Sequence, residues 1–326
     1  MSGKSILLIS DRADDLEFAT EAASVSGLPL VVMKTAAEGA KSIATGEHRF
    51  VIVDASTPEH YQKFEKELAE TVGLFSEQID TSGIHFLSSE NLENVPYIVG
   101  SPVFGSFVLR NYGNARDAGQ HYGRVLGSMA SDRAFGLEKL LKPGTKIQTI
   151  KLQSTSQKAG AVDAIRNYLL AAKYKSRMAT IVSNAVDELL MNSMFDAPVD
   201  ASGRQIYAST PRSTVLALDG KASVEVQVGF DGNYIAVTAV DHFGSLDKAR
   251  LLAHISKIYT EDEYKVKTTN AGAGIGLATV FRSGGSFLFS SESGSKTEVT
   301  VFFKRVDSFK EFRDQFRFIA TQFYFT

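Results

Sequence analysis

Residues 187–193 read Asp187-Glu188-Leu189-Leu190-Met191-Asn192-Ser193. Glu188 and Asn192 stand four apart, so on a helix they share one face and project a carboxylate and an amide together. The apolar spacing around them predicts a helix over 176–196, stopped by Pro198, with another over 157–173 before it. An amide oxygen suits Mg²⁺, which prefers oxygen and completes its octahedron with waters and phosphate oxygens. A glutamate beside it can orient or deprotonate a nucleophile. Taken alone, the pair is also what any solvated helix face presents.

Two clusters downstream bear on that reading. The apolar run 235–240 predicts a strand, and Asp241-His242-Phe243-Gly244 follows it directly. A carboxylate at a strand end can accept from an exocyclic amine such as adenine N6, and a glycine beside it admits a flat ring. By itself the tetrapeptide is equally a turn acid before a turn glycine. Next, Gly272-Ala273-Gly274-Ile275-Gly276-Leu277 follows the polar stretch 260–270 and precedes a helical run, 278–282. Alternate glycines leave backbone N–H groups free to converge on an anion, and a helix N-terminus adds partial positive charge. The third glycine comes one residue too early for the dinucleotide fingerprint, and no P-loop lysine follows. Around these clusters the patterning predicts strands at 147–152, 215–218, 224–230, 234–241, 286–292 and 297–304. Asp231-Gly232-Asn233 reads as a hairpin turn and 246–258 as helical. Residues 145–305 are thus expected to form an α+β sandwich, a mixed sheet with helices on one face.

The segment Glu188 to Asn192 resembles the N box of the GHKL ATPases, the superfamily of histidine kinases, gyrase-type ATPases, heat-shock chaperones and anti-sigma-factor serine kinases. Asp241 to Gly244 is similar to its first glycine box and Gly272 to Leu277 to its second. Gly294-Ser295-Lys296-Thr297, before the strand 298–303, is similar to its final box. The resemblance implies binding of ATP with Mg²⁺. Asn192 would ligand the metal, Glu188 would be the general base, and Asp241 and Thr297 would read adenine beside Gly244. Gly272, Gly274 and Gly276 would wrap the phosphates, and 246–271 would form the lid. Leu246 stands where the family often has a second glycine, and Ser193 where it commonly has alanine. The run 155–168 leading into 181–188 resembles the anti-sigma-factor kinases. The one histidine between 86 and 241, His121, lacks an acidic neighbour and has glycine close by on both sides. The implied activity is phosphorylation of serine or threonine on a regulatory partner, itself similar to an anti-anti-sigma factor or a response regulator. The alternatives are a non-catalytic ATP-dependent switch and a histidine-kinase-like protein without its own phosphoacceptor histidine.

Residues 1–130 alternate apolar runs at 6–9, 30–33, 50–53, 84–87, 97–99 and 107–109 with helical spacing at 14–26, 36–46 and 59–79. This order predicts a doubly wound α/β domain with its ligand site at the carboxyl ends of the strands. Residues 114–141 read as helix, and 131–144 link the two halves, ending in Lys142-Pro143-Gly144. Asp54 closes the third strand, Pro58 lies four residues on, and Asp11 ends the first strand. That arrangement resembles a response-regulator receiver and implies Asp54 as phosphoacceptor, with Asp11 and Asp54 holding Mg²⁺. Ser10 replaces one of the family's acids, Ser88 stands for the hydroxyl after strand four, and Arg110 is the cation nearest the place of its lysine. Loss of an acid weakens Mg²⁺ binding and loss of the lysine weakens charge stabilisation. A pseudo-receiver used for docking is therefore favoured over a phosphorylated one.

Composition narrows the field further. A length of 326 residues, with 44% hydrophobic and 22% charged, supports about two folded domains. The net charge of −2, from 35 basic and 37 acidic residues, offers no field for nucleic acid or an anionic membrane. The absence of cysteine excludes disulfides, thiolate metal sites and thiol nucleophiles, and fits a reducing compartment, so the cytoplasm is expected. No apolar run approaches the ~20 residues of a membrane helix. Phe309, Phe312, Phe316, Ile319 and Phe323 fall three or four apart and predict an amphipathic helix over 306–326. It would pack on its own protein or, alternatively, in a homodimer or partner contact.

Overall fold

The computed structural model describes residues 4–73, 79–90, 94–110, 112–131, 135–249, 251, 285–306, 308, 310 and 323–325. The chain divides into two compact units, Met1–Leu140 with Thr321–Thr326, and Leu141–Ala320. No helix among the described residues is long and apolar enough to cross a membrane.

In the first unit, strands β1 (Ser5–Ile9), β2 (Leu30–Met33), β3 (His48–Asp54), β4 (Ile84–Ser88) and β5 (Ser106–Leu109) alternate with helices α1 (Ala13–Ser26), α2 (Ala36–Ile43), α3 (Pro58–Val72), α4 (Pro96–Val99) and α5 (Ala115–Ala130). The strands form a parallel sheet in the order β2-β1-β3-β4-β5, a doubly wound arrangement whose order reverses between β1 and β3. Every residue of β1, β4 and β5 is buried, as a parallel sheet covered on both faces requires. Helices α1 and α5 touch backbone to backbone. A Cβ on Gly119 would sit 2.4 Å from the Phe18 carbonyl oxygen, and one on Gly123 would sit 2.6 Å from that of Ala22.

Two expectations for this region are corrected. Residues 97–99, read as a strand, belong to the short helix α4, because Pro96 takes the first helical position with its φ already set. Three apolar residues have no period of their own to oppose it. Phe323, read as part of the tail helix, lies in a strand, β11 (Phe323–Phe325), antiparallel to β5 with Phe323 opposite Phe107. Three successive aromatic residues suit a pleated strand. Phe309, Phe312, Phe316 and Ile319 lie outside the described residues.

The second unit contains β6 (Ile147–Leu152), α6 (Lys158–Ala171), α7 (Ser176–Met191), β7 (Val224–Phe230), β8 (Tyr234–Asp241), β9 (Ser286–Glu292) and β10 (Lys296–Lys304). Among the described residues the sheet order is β9-β10-β8-β7-β6, and each of these pairings is antiparallel rather than mixed as expected. Tight hairpins account for much of this. Asp231 accepts from the N–H groups of Asn233 and Tyr234 to turn β7 into β8, and Ser295 N–H returns to the Glu292 carbonyl between β9 and β10. Residues 215–218 make no full strand. Leu216 N–H is taken by the Thr155 hydroxyl and Leu218 N–H by the Gln153 carbonyl, leaving one isolated bridge between Ala217 and Ser154. Helix α7 packs on α6 and on β8, whose eight residues are all buried.

Candidate functional site

The site begins where α7 ends. The helix is regular to Met191 and then widens into one π turn over Asn192–Asp196, with Ala197 N–H donating to the Asn192 carbonyl at 2.9 Å. Turns of this kind hold an extra residue and recur at functional sites. Here Met194 and Phe195 are fully buried while Asp196 stays half-exposed. Arg212 Nη2 donates to Asp196 Oδ1 at 2.7 Å and Nη1 to the Met191 carbonyl at 3.2 Å. The Gln205 amide donates to the Asp196 carbonyl at 2.8 Å, and the Arg212 guanidinium lies over the Phe195 ring, 5.0 Å from its centroid.

The acids on this stretch are sorted by partner. Lys158 holds Asp187 at 2.5 Å, and Arg212 holds Asp196. Glu188 is half-buried, yet its carboxylate has no hydrogen bond or ion pair among the described residues, and neither has the side chain of Asn192. Burial and then Asp187 push the Glu188 carboxyl above its ordinary range, opposed by Lys158 and Arg212. Polar groups in such a place are unfavourable unless water or a ligand completes them.

At the end of β8, Asp241 is only 5% exposed and accepts from Phe243 N–H at 2.9 Å. Burial lifts its carboxyl to about 6, against the pull of the Phe243 and Gly244 N–H groups, the Thr297 hydroxyl and the Lys221 ammonium. Thr297 stands directly opposite Asp241 in the β8–β10 ladder. Its hydroxyl is near enough to favour the carboxylate, but Oγ1 is buried without a hydrogen bond of normal geometry. Gly244, at φ +59°, is pressed against the β9–β10 hairpin, where a Cβ would lie 1.9 Å from the Glu292 carbonyl oxygen. The glycine thus serves the hairpin's approach. Lys221 donates to the Gly294 carbonyl at 3.0 Å and lies over the Phe243 ring.

These parts are joined. Ser245 Oγ donates to the Ala197 carbonyl at 2.7 Å, tying the residue after Gly244 to the end of the π turn, and the turn itself packs on β8. The structure therefore gathers the Glu188–Asn192 helix end, Asp241, Gly244 and Thr297 into one region of the second unit. Gly272, Gly274, Gly276 and residues 252–271 of the expected lid lie outside the described residues. A buried carboxylate beside an unsatisfied hydroxyl fits an amine-bearing heterocycle, and a free amide fits a metal finished by phosphate and water. Among the described residues no group of three or more acids or histidines could hold a metal without such help. The sequence reading passed over Arg212, Lys158 and Lys221. Each is a single cation whose importance comes from a partner distant in sequence.

A second cluster lies at the carboxyl ends of the parallel strands. The Arg110 side chain, 2% exposed, donates through Nε and Nη2 to Asp15 at 2.7 and 2.8 Å, and through Nη2 to Asp54 at 2.8 Å. Its Nη1 donates to the hydroxyls of Ser56 and Ser89. Ser10 and Tyr112 hydroxyls donate to Asp15 as well, and His60 lies 3.1 Å from Asp54. Burial would raise the Asp54 carboxyl, but the hydrogen bonds from Arg110 and Ser56 outweigh it and hold it below its ordinary range. Asp11 is exposed and takes no part. The acid brought toward Asp54 is Asp15, and the cation between them is a guanidinium that spends all five N–H donors inside the cluster.

No family model matches the chain, and no curated protein matches it. Among solved structures, the crystal structure of the SiaB–SiaC complex from Pseudomonas aeruginosa contains a chain similar to this one, at a TM-score of 0.28 and 17% identity. The match covers 48% of this chain and 88% of that chain.

Proposed function

We propose that the second unit binds ATP with Mg²⁺ and transfers phosphate to a serine or threonine of a regulatory protein partner in the cytoplasm. The observation that carries this reading is the sorting of polar groups. Asp187 and Asp196 are neutralised by cations, while the side chains of Glu188 and Asn192, groups that ATP and its acceptor would use, have no hydrogen bond or ion pair among the described residues, and the Thr297 hydroxyl is buried without a hydrogen bond of normal geometry. Asp241 and Thr297 would read the adenine amine, and Asn192 would present its amide oxygen to the metal. The bound nucleotide supplies the phosphoryl group, and the metal offsets its charge. Glu188, its proton affinity raised by burial, would take the proton from the acceptor hydroxyl. The first unit acts in this reading as a receiver-like docking domain, with Arg110 in place of a metal ion between Asp15 and Asp54.

Calorimetric titration of ATP with Mg²⁺ into the wild type, Asn192→Ala and Asp241→Asn tests the binding step. Heat in the wild type that is lost or greatly weakened in both variants supports the site. No heat in the wild type removes the proposal. With binding established, radiolabel from ATP should pass to a partner's serine or threonine. Binding without any transfer would leave a nucleotide-dependent switch, and label on a histidine of the chain itself would point to the histidine-kinase alternative.

A further inference from the structure

The long excursion 198–217, between the π turn and β7, makes little regular structure of its own, yet its polar side chains converge on residues 191–196. Gln205 reaches the Asp196 carbonyl, and Arg212 reaches Asp196, the face of Phe195 and the Met191 carbonyl. Tyr207 packs edge-on against Phe195. The excursion is anchored in turn by the Thr155 hydroxyl, which donates to the Thr214 carbonyl and accepts from Leu216 N–H. We propose that Arg212 is a positioning residue of the nucleotide site, holding the π turn open so that Asn192 keeps its amide free and directed to the metal. This inference rests on the nucleotide reading above.

Its physical basis is the register of the turn. Met191 is the last α-helical residue, and its carbonyl stands where the α-helix passes into the π turn. One arm of the Arg212 fork donates to that carbonyl while the other is fixed on Asp196, five residues further on. The two contacts span the turn. Closing it to an α turn would rotate the residues after Asn192 by about 100°, one residue's share of a helical turn, and would separate Asp196 from the guanidinium. Lysine has one point charge and cannot span both acceptors as a planar fork does.

The test is the ratio of ATP affinities with Mg²⁺ and with the metal chelated, measured on the full chain by calorimetry, together with a thermal melt. A residue that positions a metal ligand typically changes metal affinity by about 10–100-fold when lost. In Arg212→Gln the Mg²⁺-dependent gain in affinity should therefore fall by at least about tenfold, with metal-free affinity little changed. Arg212→Lys should not restore it. Equal weakening with and without Mg²⁺ would reduce Arg212 to general support of the fold and overturn the inference, as would an unchanged ratio. Should Arg212→Gln fail to fold, Asp196→Ala carries the same comparison, since it keeps the guanidinium and removes its anchor. Absence of ATP binding by the wild type would overturn the nucleotide reading itself, and this inference with it.

Discussion

At the scale of the residue, the molecule treats its buried acids in two opposite ways. Asp15, with no exposed side-chain surface, is compensated by both arms of Arg110, by Tyr112 and by Ser10. Removing one partner of such a pair typically costs about 3–5 kcal/mol, because the other charge is left buried alone. Asp241 has no comparable cation, and burial lifts its carboxyl to about 6. An unfolded chain ionises this group near the ordinary aspartate value of about 4, so the folded state holds the proton more tightly between about pH 4 and pH 6. Stability of the second unit is therefore greatest below that window and declines as pH rises through it. The full loss is on the order of 3 kcal/mol, two pKa units at about 1.4 kcal/mol each. Asp241→Asn keeps an acceptor for Phe243 N–H and removes the charge. Urea denaturation should show the variant more stable than wild type at about pH 7.5, by up to about 3 kcal/mol, with the difference fading near pH 4. A variant less stable at the higher pH would show that the carboxylate is compensated after all. Because the same variant should lose ATP, Asp241 would be a position where stability has been surrendered to binding.

At the scale of the element, helix α5 shows how much of a packing interface rests on missing side chains. Gly119 and Gly123 lie one turn apart on the face toward α1, and a Cβ on either would fall inside contact distance of α1 backbone oxygens. Gly123→Ala should therefore push the helices apart and destabilise the first unit by about 1–3 kcal/mol, as overpacking does. Gly160, in α6, has open space where its Cβ would be, and Gly160→Ala should stabilise the second unit by about 0.5–1 kcal/mol through helix propensity alone. Denaturation of the two single variants checks both signs. This contrast also shows where sequence is legible. Elements with a long period or a dense apolar run, such as α7 and β8, could be read directly from the chain, as could the hairpin turn at Asp231-Gly232-Asn233. Residues 97–99 and 215–218 could not, since a run of three or four apolar residues is decided by Pro96 in one case and by the Thr155 hydroxyl in the other. The spacing of Glu188 and Asn192 was visible, but the π turn beyond them was not. It depends on Arg212, sixteen residues past Asp196, and no local pattern announces that partnership. The same holds for Asp15, passed over for Asp11 because only the fold shows which acid faces Arg110.

At the scale of the whole molecule, the chain is not divided as its order suggests. It completes the first unit, forms the second, and then returns, with Thr321–Thr326 grouped with the residues before Leu141. The returning strand β11 adds to β5, covering a sheet edge that would otherwise expose unpaired N–H and C=O groups. Each unit also has its own core, built on β1, β3 and β4 in the first and on β8, β10 and α7 in the second. Units of this kind unfold as separate cooperative transitions, and a ligand raises only the transition of the unit that binds it. Scanning calorimetry of the full chain should accordingly resolve two transitions. ATP with Mg²⁺ at about 100 times its dissociation constant should stabilise one of them by about 2.7 kcal/mol and leave the other in place. A chain ending at residue 320 should do the reverse. It should lower the transition that ATP does not move, although the residues removed follow the second unit in sequence. If the truncation instead lowered the ATP-sensitive transition, β11 would belong energetically to the second unit, and the first would be a five-stranded parallel sheet stable with its β5 edge uncovered.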